Sequence, residues 1–186
     1  MRKNFGAKPY CYPMPVLMLA TYGEDGTPNL MNAAWGGISE ENQITVCISA
    51  NHKTTENILL KKAFTVSMAD AAHTAACDYV GMVSGNDEKD KLAQSGLTTT
   101  KSEFVDAPLI NELAIALECR LISYDKETCR LVGEIVNVAV DERVLDENGS
   151  VDVKKADPIT FDPFNNVYIR LGETVGDAFK LGAQLM

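Results

Sequence analysis

The chain has 186 residues, 46% hydrophobic and 23% charged, with a formal net charge of −9. Those values exclude a disordered or fibrous chain and fit one continuous core, expected as a single domain over 1–186. The acidic balance argues against nucleic acid or an anionic membrane surface, which need clustered Lys and Arg.

No apolar run approaches the roughly 18 residues that span a bilayer. Gly6, Pro9 and Pro13 interrupt the N-terminal stretch before a leader-like core forms, so a cytoplasmic location is expected. The five cysteines, Cys11, Cys47, Cys77, Cys119 and Cys129, form no CxxC pair and no Cys/His ligand pattern. Reduced, mostly buried thiols and no metal site are therefore expected.

In chain order, "VLMLATY" (16–22) and "PNLMNAAW" (28–35) flank an Asp25-Gly26 turn signal and read as a hairpin. Gly36 and Gly37 read as turn residues. "QITVCIS" (43–49) and "AFTVSMA" (63–69) are further strands, apolar enough to be covered on both faces, with a short helix between them from near Thr54.

Residues 71–96 read as helical, with Asn86 and Asp87 as cap candidates and Gly96 as a left-handed stop. "ELAIALECRLISY" (112–124) and "CRLVGEIVNVAVDE" (129–142) make a second hairpin around "DKET". Alternation puts Leu117, Cys119 and Leu121 on one face, Glu118 and Arg120 on the other. Residues 146–158 read as a surface loop, and Val175, Ala178 and Phe179 fall near helical spacing. Strands joined by hairpins outnumber helices, which favours a mainly β fold: an antiparallel barrel with peripheral helices.

The chain has no GxSxG, HExxH, P-loop or post-strand GxGxxG, and no nucleophile pattern stands beside His52 or His73. What remains is "SANHKTTENILL" (49–60), where strand becomes helix. The first-turn N–H groups, Lys53 and the short polar side chains of Ser49, Asn51 and Thr54 suit a phosphate. Thr54 followed by Glu56 also suits ordinary helix capping, and local chemistry leaves both readings open.

Further segments extend the pattern: "PMPVLMLATYGEDGTPNLMNAAWGGIS", "CISANHKTTENILLKKAFTVSM", "CDYVGMVSGNDEKDKL", "PLINELAIALEC" and "LVGEIVNV". Taken in order over roughly residues 13–182, they resemble the flavin reductase-like, FMN-binding split-barrel family, particularly its flavoredoxin-like members. The resemblance implies a six-stranded-type antiparallel Greek-key split β-barrel that binds FMN without a covalent link, at a homodimer interface.

On that resemblance Ser49, Asn51, Lys53 and Thr54 hold the phosphate, and Ala50 belongs to the same cofactor-binding segment. Met31, Asn32, Ala33, Ala34 and Trp35 run along the ring and ribityl, and Ser84 and Gly85 lie near the cofactor. Asp78, Phe164 and Tyr168 are weaker candidates, explained as well by capping or packing. Many relatives carry a histidine before the "GEV"-like strand where this chain has Cys129 and Arg130, so no acid/base role transfers and catalytic residues stay unassigned.

The implied reaction passes hydride or electrons from NAD(P)H through flavin to an acceptor, chemistry that belongs to the cofactor. The alternatives are a flavoredoxin-type carrier exchanging electrons with a redox partner protein, without NAD(P)H activity, and a non-catalytic flavin-binding barrel.

Overall fold

The computed structural model describes residues 1–185. In chain order its elements are β1 (Met14–Pro15), β2 (Leu17–Tyr22), β3 (Pro28–Ala33), β4 (Gly36–Glu40), β5 (Gln43–Cys47), α1 (Lys53–Lys61), β6 (Ala63–Met68), α2 (Thr74–Met82) and α3 (Lys91–Ser95). There follow β7 (Thr99–Lys101), β8 (Pro108–Ile110), β9 (Ile115–Asp125), β10 (Arg130–Val140), α4 (Val153–Ala156), β11 (Ile159–Asp162) and β12 (Val167–Arg170). The main sheet is antiparallel throughout, in the order β3-β2-β6-β9-β10-β5-β4. Small sheets β1-β11-β12 and β7-β8 flank it.

Strands β3 and β4 are consecutive in the chain yet lie on opposite edges of this sheet. Only Ala34 and Trp35 join them, so Ala33 and Gly36 are no more than about 11 Å apart. A seven-strand sheet satisfies that link only by curling until its edges nearly meet. The fold is an antiparallel split barrel, and the split runs between β3 and β4.

Curling gives β2 two apolar faces. Leu17 and Leu19 point into the barrel with Ile44, Val46, Phe64, Val66, Leu117 and Leu131. Val16, Met18 and Ala20 point outward, where Cys77 and Val80 of α2, with Ile110 and Ile159, cover them. Of the two strands expected to be covered on both faces, β6 is, with Ala63 to Ser67 all buried; β5 is not, because only its inward-facing Ile44 and Val46 are buried while Cys47 is exposed. Fully buried Phe64 fills the barrel across from Gly133, where a Cβ would stand 2.4 Å from the Phe64 Cζ. A register shift in the β9-β10 ladder falls between Val132 and Gly133.

The first hairpin turns as expected. Gly26 is left-handed at φ 81°, and the Thr27 N–H donates to Asp25 Oδ1 at 3.0 Å. Several expectations need correction. Gly36 and Gly37 open strand β4 against β5, because a Cβ on Gly36 would meet the Thr45 carbonyl oxygen at 2.7 Å; glycine here permits close strand approach. Residues 71–96 divide into two helices, and the residue before α3 is Asp90 rather than Asn86 or Asp87; Gly96 ends it left-handed at φ 75°.

Glu118 shares the outer face of β9 with Arg120, as alternation expects, but is covered there by the Ser102 loop. It is 1% exposed and accepts hydrogen bonds from the Ser102 hydroxyl at 2.5 Å and from the Asn137 amide. A second β9-β10 register shift, between Ile135 and Asn137, brings Asn137 opposite Glu118. The 146–158 excursion contains the single turn α4, and the tail from 171 holds a short 3-10 segment, Leu181–Leu185, instead of an α-helix.

Candidate functional site

The β3–β4 link, the loop after β5, the first turn of α1 and the loop after α2 converge beside the split. Two adjoining clefts share Met31, Asn32 and His52. The first, about 400 Å³, is lined by Met31 to Trp35 and by Cys47, Ile48, Ser49, His52 and Cys129, and is called here the Trp35 cleft. The second, about 190 Å³ and called the Lys53 cleft, is lined by Asn29, Lys53, Thr54, Gly81, Met82, Val83, Ser84, Gly85 and Lys91 besides the shared residues.

At the Lys53 cleft the chain leaves β5, turns through Ser49, and starts α1 with an extended His52 as N-cap. No side chain caps the helix. Thr54 lies inside the first turn, 1% exposed, and its hydroxyl accepts from Asn29 Nδ2 at 2.8 Å. The capping reading of Thr54 is thus corrected: the hydroxyl ties α1 to β3, and the first-turn N–H groups keep the macrodipole's positive end toward the cleft. Thr55 donates to the Ser49 carbonyl at 2.7 Å and fixes the loop. The Lys53 ammonium pairs with Glu56 at 2.8 Å, a partly exposed contact that an incoming anion could compete for.

Glycines let the opposite wall close in. A Cβ at Gly85 would stand 2.2 Å from Asn29 Oδ1, and one at Gly81 would stand 2.7 Å from the Asn32 Cβ. Behind this wall Lys91 is 4% exposed and donates to the Val80 carbonyl at 3.3 Å and the Val83 carbonyl at 3.2 Å. An ammonium has three donors, so one remains beyond these two bonds. Burial pushes Lys91 down from the ordinary lysine range to about 8. A buried cation with carbonyl partners is what an anion in this cleft would complete.

The Trp35 cleft has a different character. Ala33 and Ala34 present short side chains, and Trp35 is 59% exposed at the rim. Strand β3 is a sheet edge, so alternate backbone N–H and C=O groups on its outer side face the split unpaired. No Asp, Glu, Lys or Arg lines this cleft.

Of the residues expected at a site, Met31, Asn32, Ala33, Ala34, Trp35 and Ser49 line the Trp35 cleft. Lys53, Thr54, Ser84 and Gly85 line the Lys53 cleft. Ala50 and Asn51 line neither; the Asn51 carbonyl instead accepts from Asn86 Nδ2 at 3.1 Å, bridging the two loops. Among the weaker candidates, Asp78 accepts the Tyr168 hydroxyl at 2.6 Å beside a third cleft that shares Asn32 and Ala34. Phe164 packs away with Phe5, Tyr10 and Tyr12.

The sequence profile of the flavin reductase like domain matches residues 10–160. The chain belongs to that family. Flavoredoxin of Desulfovibrio vulgaris (Miyazaki F) is 38% identical with a TM-score of 0.93, over 98% of this chain and all of that one. A flavoredoxin from Methanosarcina acetivorans is 28% identical with a TM-score of 0.88 over the whole of both chains. An FMN-binding domain of a flavin reductases-like enzyme from Shewanella baltica OS155 is 21% identical with a TM-score of 0.77, over 88% of each, a likeness of fold.

Within this flavin reductase-like fold, the linings add residues that sequence reasoning missed. Lys91 sits in the charged run "NDEKDK", which reads as a solvated face; the apolar Leu92 and Ala93 after it were the available signal. Asn29 follows a turn proline and reads as loop chemistry. His52, which has no nucleophile pattern beside it, lines both clefts.

Proposed function

We propose that the chain is an FMN-binding electron-transfer flavoprotein, with the phosphate at the Lys53 cleft and the isoalloxazine ring at the Trp35 cleft. The observation that carries this reading is the continuity of the two clefts through Met31, Asn32 and His52, one end cationic and the other small-walled. Lys53, Lys91 and the first turn of α1 would hold the phosphate by charge and N–H donation. Ser84 and Gly85 would close over it. Ala33 and Ala34 let the β3 backbone approach a planar ring, and edge N–H groups there would stabilise negative charge on it. Bound there, FMN supplies hydride and electron transfer at its ring. The protein's part is to anchor, orient and leave one face open.

In this reading NAD(P)H is the electron donor and the whole chain works as one domain in a cytoplasmic homodimer. A second reading, favoured by the 38% identity to a flavoredoxin, is a carrier that exchanges electrons with a redox partner protein. The net charge of −9 suits a basic partner.

Flavin titration followed by fluorescence, then anaerobic addition of NADH and NADPH, tests both. Stoichiometric FMN binding with bleaching of the flavin absorbance by either nucleotide supports the first reading. FMN binding without bleaching, but with reduction by a partner protein, moves the assignment to the second. No FMN binding overturns both.

A further inference from the structure

Cys77 and Cys119 are buried among apolar side chains, and burial pushes each thiol up to about 12, as inert thiols. Cys47 and Cys129 differ: Cys47 is exposed, Cys129 is half-buried, and both line the Trp35 cleft.

Their backbone positions adjoin. Cys47 stands opposite Arg130 in the β5-β10 ladder, and the Ile48 N–H donates to the Cys129 carbonyl at 2.9 Å. Cys47 Sγ in turn lies 3.7 Å from the carbonyl oxygen of Thr128. Strands about 4.8 Å apart with a rise of about 3.4 Å place such diagonal neighbours about 6 Å apart at Cα, within disulfide span. Regular alternation would send the two side chains to opposite faces. Cys129 escapes it through a left-handed backbone, φ 58°, just before β10 begins. The Tyr124 hydroxyl, which donates to the Ile48 carbonyl at 3.0 Å, is raised by burial and then by Cys129 and Cys47, so both sulfurs neighbour one phenol.

We propose that Cys47 and Cys129 form a reversible disulfide on the wall of the Trp35 cleft, a site of thiol–disulfide exchange with a low-molecular-weight thiol. In exchange the external thiolate attacks one sulfur of the bridge, and the other cysteine leaves as thiolate and takes up a proton. A second external thiolate then attacks the mixed disulfide. Two cysteine thiols and one external disulfide result, with two electrons moved from the external thiols to the bridge.

The test equilibrates flavin-free protein, wild type and Cys11→Ser, in glutathione buffers stepped from reduced to oxidised, followed by acid trapping, alkylation and peptide mapping. A Cys47–Cys129 cross-linked peptide, lighter by two hydrogens, should rise from trace to dominant form across the series and revert when the ratio is reversed. In Cys47→Ser or Cys129→Ser the cross-link should vanish and the surviving cysteine should carry one glutathione. Absence of the cross-link at every ratio, bridging chiefly to Cys11, or cross-linking only in protein unfolded by circular dichroism overturns the proposal. The readout needs no flavin, so its failure is distinct from failure of the FMN assignment.

Discussion

The Lys53 cleft and the Trp35 cleft adjoin, yet they are built by opposite means. One is made of charge: a helix start, Lys53 beside Glu56, and the buried ammonium of Lys91. The other is made of geometry: the short Ala33 and Ala34, an unpaired sheet edge and a sheet curled to bring β4 within two residues of β3. Charge fixes a ligand at one point, whereas shape and backbone polarity orient the rest of it.

The largest expected effect comes from breaking the glycine wall of the Lys53 cleft. Gly85→Val drives a side chain into Asn29 and should cost about 2 kcal/mol, a fall of roughly 4–8 °C in Tm at this length, with loss of FMN binding. Differential scanning fluorimetry with and without FMN reads both.

Next is Lys91→Met, which should separate anchoring from folding. Losing a charge-assisted phosphate contact weakens FMN binding about ten- to a hundredfold. Removing a buried cation should leave the flavin-free protein equally or more stable. A Tm that falls as far as the affinity would assign Lys91 to the fold alone. Lys53→Ala, at a partly exposed ion pair, should cost several-fold in affinity with an unchanged Tm.

Ala34→Phe should act at the other end only. It fills the Trp35 cleft, weakens FMN binding and leaves binding of inorganic phosphate at the Lys53 cleft intact, as phosphate-dependent thermal shift would report.

Last is a pH dependence specific to Lys91. Its folded value of about 8 lies below the ordinary 10.5, so between these values the unfolded chain binds more protons and flavin-free stability should rise with pH. FMN affinity should fall over the same window as the ammonium loses its proton. Lys91→Met should abolish both trends in parallel urea and flavin titrations.

Much of the frame was legible because local and global signals agreed. A continuous apolar run marked β6 as doubly covered, Asp25-Gly26 marked the first hairpin, and Gly96 ended its helix. Strand β4 escaped because Gly36 and Gly37 carry a turn's composition while serving a tight strand contact, visible only once β5 lies beside it. Alternation put Glu118 on the right face, but its burial escaped because Ser102, which covers it, arrives only through the fold.

At the site, the segments that converge could be named from their order along the chain. Lys91 could not be read from the charged run itself, whose only signal was the apolar Leu92 and Ala93 that follow it. Nor could the neighbourhood of Cys47 and Cys129, which lie 82 positions apart (129 − 47) and meet only through strand register.

The Ala34-Trp35 link has a consequence for solubility. Strands β3 and β4 are each bare on one side, and bare edges invite pairing with other chains. Two residues hold these edges face to face across the gap, so each hinders a foreign strand from reaching the other. Cutting the chain between Ala34 and Trp35 would leave the order of the sheet intact and release both edges, turning a self-shielding barrel into an open ribbon with two adhesive margins.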